Sequence, residues 1–254
     1  VKIGVINMWT PKGYIIDEIV GCRVRPFIGA AYAEGKVDEL EALVHGVTKM
    51  QLLKLTDFSN PCFAILKRTK ALESLKLVFP DIAIEELPIR YVAIATDLRN
   101  ECEVVFDTGS VYDAIRASIA IPAVFTGVDS EGRYLVDGGV LNPLPINYVK
   151  KSKRNLVVVV NLDGRPDPEL GEVVAGGKYT SLTVLQEAYF AMRRRLSQLS
   201  IDMHKPDYVI TVPHNTAGIW DYHRTLDLVE KGMKWTDLLM PDAHLKRKKA
   251  PINS

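Results

Sequence analysis

Asp137, Gly138 and Gly139 are the residues of this 254-residue chain with the most chemical promise. The run Arg133 to Val136 before them reads as a short strand, so the Asp137 carboxylate would stand at a strand's C-terminal end. Gly138 and Gly139 let the chain turn there without a Cβ in the way. Open α/β sheets place their ligands at such ends. A carboxylate held there could take the proton from a hydroxyl and make it a nucleophile. Taken alone, Asp-Gly-Gly is equally a plain turn signal.

Other polar residues carry less. Ser118 reads as a hydroxyl at a helix C-terminus that bonds main chain, and Ser110 as the cap of a helix starting at Val111. His45, His204, His214, His223 and His244 have no metal-ligand spacing, and Cys22, Cys62 and Cys102 include no C-x-x-C pair. Neither a metal nor a disulfide framework is expected, and no cofactor either. There is no G-x-G-x-x-G or Walker sequence, which argues against a nucleotide-binding domain.

The elements that must position Asp137 follow from periodicity. Strands are expected over Lys2–Asn7, Asp17–Cys22, Arg90–Thr96, Glu103–Phe106, Arg133–Val136, Leu156–Leu162 and Tyr208–Val212. Helices are expected over Phe27–Glu34, Val37–Lys49, Leu66–Val78, Val111–Ser118, Ser181–Met203 and Leu226–Met240. The alternation predicts an α/β fold of three layers around a central, mostly parallel sheet. In the long helix, Leu182, Leu185, Tyr189, Met192, Leu196, Leu199 and Met203 form one apolar stripe, read as core. Arg193-Arg194-Arg195 reads as a solvated face with one snorkelling stem.

Composition is globular, with 47% hydrophobic and 25% charged residues, so the chain can bury a core. One domain over 1–254 is expected, with residues 245–254, including Lys246 to Lys249, as a solvated tail weakly drawn to anionic lipid. Lys plus Arg (32) nearly cancels Asp plus Glu (31), so nucleic acid is not the expected partner. The longest strictly apolar run, Leu156 to Val160, is far below the roughly 20 residues that span a bilayer, and no leader pattern opens the chain. With its sparse cysteines, the protein is expected to be soluble and cytoplasmic, at most peripheral to a membrane.

Several segments in order resemble the patatin-like phospholipase family: Ala117-Ser-Ile-Ala-Ile-Pro-Ala-Val-Phe125, Val136-Asp-Gly-Gly-Val140, and Asn142-Pro-Leu-Pro145. The likeness reaches back to Ile19-Val-Gly-Cys22 and Ile28-Gly-Ala-Ala-Tyr-Ala-Glu-Gly35, and covers roughly residues 15 to 165. The resemblance implies a lipid acyl hydrolase with a Ser-Asp dyad. There, a Gly-x-Ser-x-Gly elbow presents the serine, the Asp of Asp-Gly-Gly is the base, and a glycine-rich loop after the first strand supplies oxyanion donors. It maps the base to Asp137, its glycines to Gly138 and Gly139, and the first elbow glycine to Gly21. The elbow loop would contribute Val24 to the substrate site beside them. A lipid or small ester is the implied substrate, with transient contact to a membrane surface.

The departures are specific. Arg23 occupies the position of the nucleophilic serine and Arg25 that of the second elbow glycine. A guanidinium is no nucleophile. The Met8 to Ile15 connection, with Gly13 its sole glycine, is also too short for a crossover of a dozen residues between parallel strands. Either the first two strands are not parallel neighbours, or a loop and helix are lost, or the sequence lacks residues between them. The oxyanion loop is therefore expected to be missing. The alternative implied is a catalytically dead family member whose cleft binds lipid or a protein partner.

Overall fold

The computed structural model describes residues 1–9, 13–22, 25–46, 56–57, 65–66, 82–122, 127–170, 180–217 and 224–239. The helices are α1 Lys2–Trp9, α2 Arg25–Ala33, α3 Val37–Gly46, α4 Val111–Ser118, α5 Ser181–His204 and α6 Thr225–Leu239. The strands are β1 Glu18–Gly21, β2 Thr56–Asp57, β3 Ile65–Leu66, β4 Arg90–Asp97, β5 Cys102–Phe106, β6 Val128–Ser130, β7 Arg133–Asp137, β8 Val158–Gly164 and β9 Tyr208–Pro213. Most of the helix expected over Leu66–Val78 and the whole 245–254 tail lie outside the described residues.

β4 organises the site because it is apolar on both faces, and all but its first residue is buried. Ala93 pairs with both Gly21 and Phe106, and Ala95 with both Val104 and Asp137. β5 therefore has one edge of β4 to itself. β1, parallel, and β7, antiparallel, share the other edge end to end. β6 adds outside β7, and β8 and β9 form a separate parallel pair. The five-stranded sheet is thus mixed, with a parallel ladder at β1/β4 and antiparallel ones at β4/β5, β4/β7 and β6/β7, while the separate β8/β9 pair is parallel.

α2 and α4 cover one face of β4, and β8 is flanked by α5 on one face and by α1 and α6 on the other, giving three α/β layers. Ala30 of α2 and Ala114 and Ile115 of α4 pack on Tyr91 and Ala93, while Val92 and Ile94 pack with Val20, Cys22 and Tyr148 on the other face. The period of two repeats in β8. Val159 faces Ile201 of α5 in one cluster, whereas Val158, Val160 and Leu162 join Val5 and Trp9 of α1 and Trp235 of α6 in another. Local signals set the ends: Ser110 Oγ accepts from Asp113 N–H (3.2 Å), and Gly35 closes the turn after α2 at φ +69°.

Two expectations change here. Residues 2–7 belong to a helix, not a strand: a short run apolar all round does not distinguish a buried strand from a buried helix. Gly4 then meets the main chain of Val229, a close approach of α1 to α6 that a Cβ would block. With α1 a helix, no crossover between parallel strands is needed ahead of β1, so the length of the Met8 to Ile15 stretch does not bear on the oxyanion loop.

The outer edges of β1 and β8 flank a cavity of about 200 Å³ lined by Ile19, Val20, Leu144, Val158 and Val160 among others. Asp137, Gly138 and Cys22 do not line it.

Candidate functional site

β1 runs up one edge of β4 and β7 runs down it, so their C-terminal ends point at each other across Ile94. Gly21 and Asp137 stand two β4 residues apart. Beyond these ends, a Cβ added to Gly138 would lie 3.1 Å from Cys22 Cβ and 2.7 Å from the Ile94 carbonyl carbon. Only glycine fits where the two chain turns touch. Gly138 and Gly139 open a one-turn 3₁₀ helix, Gly138–Val140, capped by Asp137, whose Oδ1 accepts from Gly139 N–H at 2.9 Å. Cys22 is fully buried and its thiol donates to Pro143 O at 3.6 Å. Arg23 and Val24 lie outside the described residues, and Arg25 begins α2.

The second oxygen of Asp137 has a partner that sequence reasoning missed. Arg193, on the inner face of α5, is only 1% exposed and donates from Nη1 to Asp137 Oδ2 at 3.3 Å. Its Nε and Nη2 donate to Asp163 Oδ1 and Oδ2 at 3.1 and 2.9 Å, a bidentate fork. Ser197 Oγ, one turn on, donates to Asp163 Oδ2, and the Tyr189 ring, one turn back, lies 5.5 Å from the guanidinium. Burial works against the charge of Arg193, but Asp163, by charge and hydrogen bond, and then Asp137 hold its pKa above the ordinary value. The expectation that Arg193 faces solvent with its neighbours is overturned; Arg195 is exposed as expected.

Gly139 is part of the same packing, since a Cβ on it would come within 2.7 Å of Arg193 Nη1. The guanidinium lies flat against the main chain that follows Asp137. Asp163 reaches it because β8 runs on to Gly164, two residues past the expected end, and keeps Val159, Asn161 and Asp163 on one face. That alternation was readable as a signal, and a carboxylate continuing the inward face asks for a buried cation.

Nearby hydroxyls are committed elsewhere. Ser118 Oγ donates to Ile94 O at 2.8 Å, the main-chain bond expected of it, and Thr96 Oγ1 donates to Gly138 O at 3.5 Å. Among the described residues, no cluster of three His, Cys, Asp or Glu side chains could hold a metal ion. No helix among them is long and apolar enough to cross a membrane.

Comparison with known proteins agrees with this geometry. The chain is 38% identical over 162 residues to an uncharacterised NTE family protein of Mycobacterium tuberculosis, covering 64% of this chain and 45% of that protein. A second NTE family protein of that organism is 29% identical over 161 residues, covering 63% and 27%. Mouse patatin-like phospholipase domain-containing protein 7 is 25% identical over 185 residues, covering 69% and 14%. The chain spans less than half the length of the curated relatives it matches. The profile of one family, described as "Patatin-like phospholipase", matches residues 3–150, more than half the chain and all of the β1, β4 and β7 junction, and the chain belongs to that family.

Proposed function

We propose that the junction of β1 and β7 is a lipid acyl hydrolase site of the patatin type, with Asp137 as its base. With arginine at position 23, we read this chain as holding its ester ligand without cleaving it. Membership of the family supports lipid hydrolysis as the general chemistry. One observation carries the residue assignment: Gly21 and Asp137 stand two residues apart on β4, and Cys22, next along, packs against Gly138. Gly138 and Gly139 close the turn around that carboxylate, and Val24 is assigned to the substrate site by its place in the sequence alone. The domain is proposed to run past residue 150, because β8 and α5 supply Asp163 and Arg193 to the same site.

A second reading, an active hydrolase, is favoured by the intact surroundings of Asp137. It requires a hydroxyl that the sequence does not place at position 23. Hydrolysis of a short-chain aryl ester, by protein whose mass matches this sequence, separates the two. The expected result is no turnover above background, with saturable binding of a non-hydrolysable ester analogue that Asp137→Asn weakens. Turnover sensitive to a fluorophosphonate would instead favour the active enzyme. The protein is proposed to be cytoplasmic and to meet lipid at a membrane surface, and no cofactor is invoked.

A further inference from the structure

The outer face of α5 is apolar where it meets water. Leu185, Met192, Leu199 and Met203, spaced by seven, seven and four residues, are exposed, Leu185 at 62% and Met203 at 74%. They lie on one side of the helix over a length of roughly 27 Å. The inward side is more polar, with Arg193 and Ser197 buried and Ser200 Oγ donating to Leu144 O at 2.6 Å.

Cations gather along the same face and at its C-terminal end. Arg195 is exposed between Met192 and Leu199, and Lys205 follows the helix as its left-handed cap. Lys151 Nζ donates to Lys205 O at 2.9 Å, which brings the loop Lys150-Lys151-Ser152-Lys153-Arg154, exposed throughout, against that end. Three carboxylates stand nearby and all have partners: Gln198 Nε2 donates to Asp202 at 2.8 Å, Val157 N–H donates to Asp207 at 2.9 Å, and Glu18 accepts from Lys150 N–H at 2.9 Å and pairs with Arg90. Six cations against three carboxylates, one of them neutralised by Arg90, leave this end positive.

We propose that the outer face of α5 and the 150–154 loop form the surface by which this protein docks on an anionic lipid bilayer. An apolar stripe rimmed by lysine and arginine is the composition of a helix lying in a membrane interface, with Arg195 extending its head group toward phosphates. Charge complementarity selects lipid over a second copy of this chain, because two such faces would bring like-charged loops and arginines together. The inference rests on the lipid reading of the site, but docking is measured without turnover. Failure of either is therefore seen separately.

The test is flotation with vesicles of phosphatidylcholine containing phosphatidylglycerol, against phosphatidylcholine alone. Wild-type protein is expected to float with the anionic vesicles and much less with the neutral ones. Each Lys or Arg near an anionic surface strengthens partitioning about fivefold. Replacing Lys150, Lys151, Lys153 and Arg154 by glutamine should therefore weaken binding by roughly 600-fold. Met192→Ser with Leu199→Ser and Met203→Ser should abolish flotation while leaving the thermal midpoint unchanged, since all three side chains are exposed. Wild-type protein that fails to float, or binding indifferent to both sets of changes, would overturn the proposal. So would a wild-type dimer that the serine variant dissolves without any vesicle binding. An aryl ester turned over by protein that does not float would overturn docking alone.

Discussion

Replacing Arg193 by methionine keeps most of the aliphatic stem and removes the guanidinium. The side chain is 1% exposed and makes three hydrogen bonds to two carboxylates, of which Asp137 is 0% and Asp163 4% exposed. Neither carboxylate can turn to bulk water once the cation is gone. Breaking a buried pair by removing one partner costs about 3–5 kcal/mol, mostly the penalty of the charge left behind. For a chain of this size that is a fall in the thermal midpoint of roughly 6–20 °C. Arg195→Met is the control, since Arg195 is exposed and surface changes stay within about 0.5 kcal/mol. Urea denaturation of both variants at low and high salt reads the difference, and high salt should leave it standing because the network is buried. Adding Asp163→Asn to Arg193→Met should recover part of the loss, since it removes one stranded charge. An Arg193→Met variant as stable as Arg195→Met would refute the buried network.

Gly138→Ala should be the more damaging of two glycine changes, because its Cβ meets the main chain of Ile94, whereas that of Gly139→Ala meets a side-chain nitrogen of Arg193. Overpacking of this kind costs about 1–3 kcal/mol, and denaturant midpoints should rank the two variants in that order. Asp97 supplies a pH test. A hydrogen bond from Asn100, opposed by burial and joined by the Arg99 and Tyr134 N–H groups, holds its pKa below the ordinary 3.8. Its stabilisation is therefore present above that ordinary value and lost as pH falls through the lower folded value. Thermal melts across the acid range should flatten there in Asp97→Asn, and an unchanged slope would contradict the assignment.

Much of this frame was legible in the sequence. The apolar run of β4 marked a central strand, and Asp-Gly-Gly at a strand end marked where a carboxylate would stand. Arg193 was not legible, because three consecutive arginines on a helix point about 100° apart and only the phase of α5 decides which one turns inward. That phase runs against the hydrophobic period. The face of α5 toward β8 must match Asp163, so it carries Arg193 and Ser197, and the leucine and methionine stripe is left outside. Of the stripe expected to be core, Tyr189 and Leu196 are half-buried, Leu185, Met192, Leu199 and Met203 are exposed, and the Leu182 side chain lies outside the described residues. Lys2–Asn7 misled for a simpler reason: six residues whose apolar side chains fall on every side carry no period to read.

We propose Asp137 as the base of a patatin-type site whose nucleophile position in the sequence is taken by Arg23. Fluorophosphonate labelling followed by intact mass and peptide mapping tests it most directly. The chain should take no label, since arginine stands at position 23, where the family carries its serine. Arg23→Ser combined with Arg25→Gly should take label at position 23, and adding Asp137→Asn should remove it. A label on any serine of the unmodified chain, or labelling of the double variant that ignores Asp137, would contradict the account.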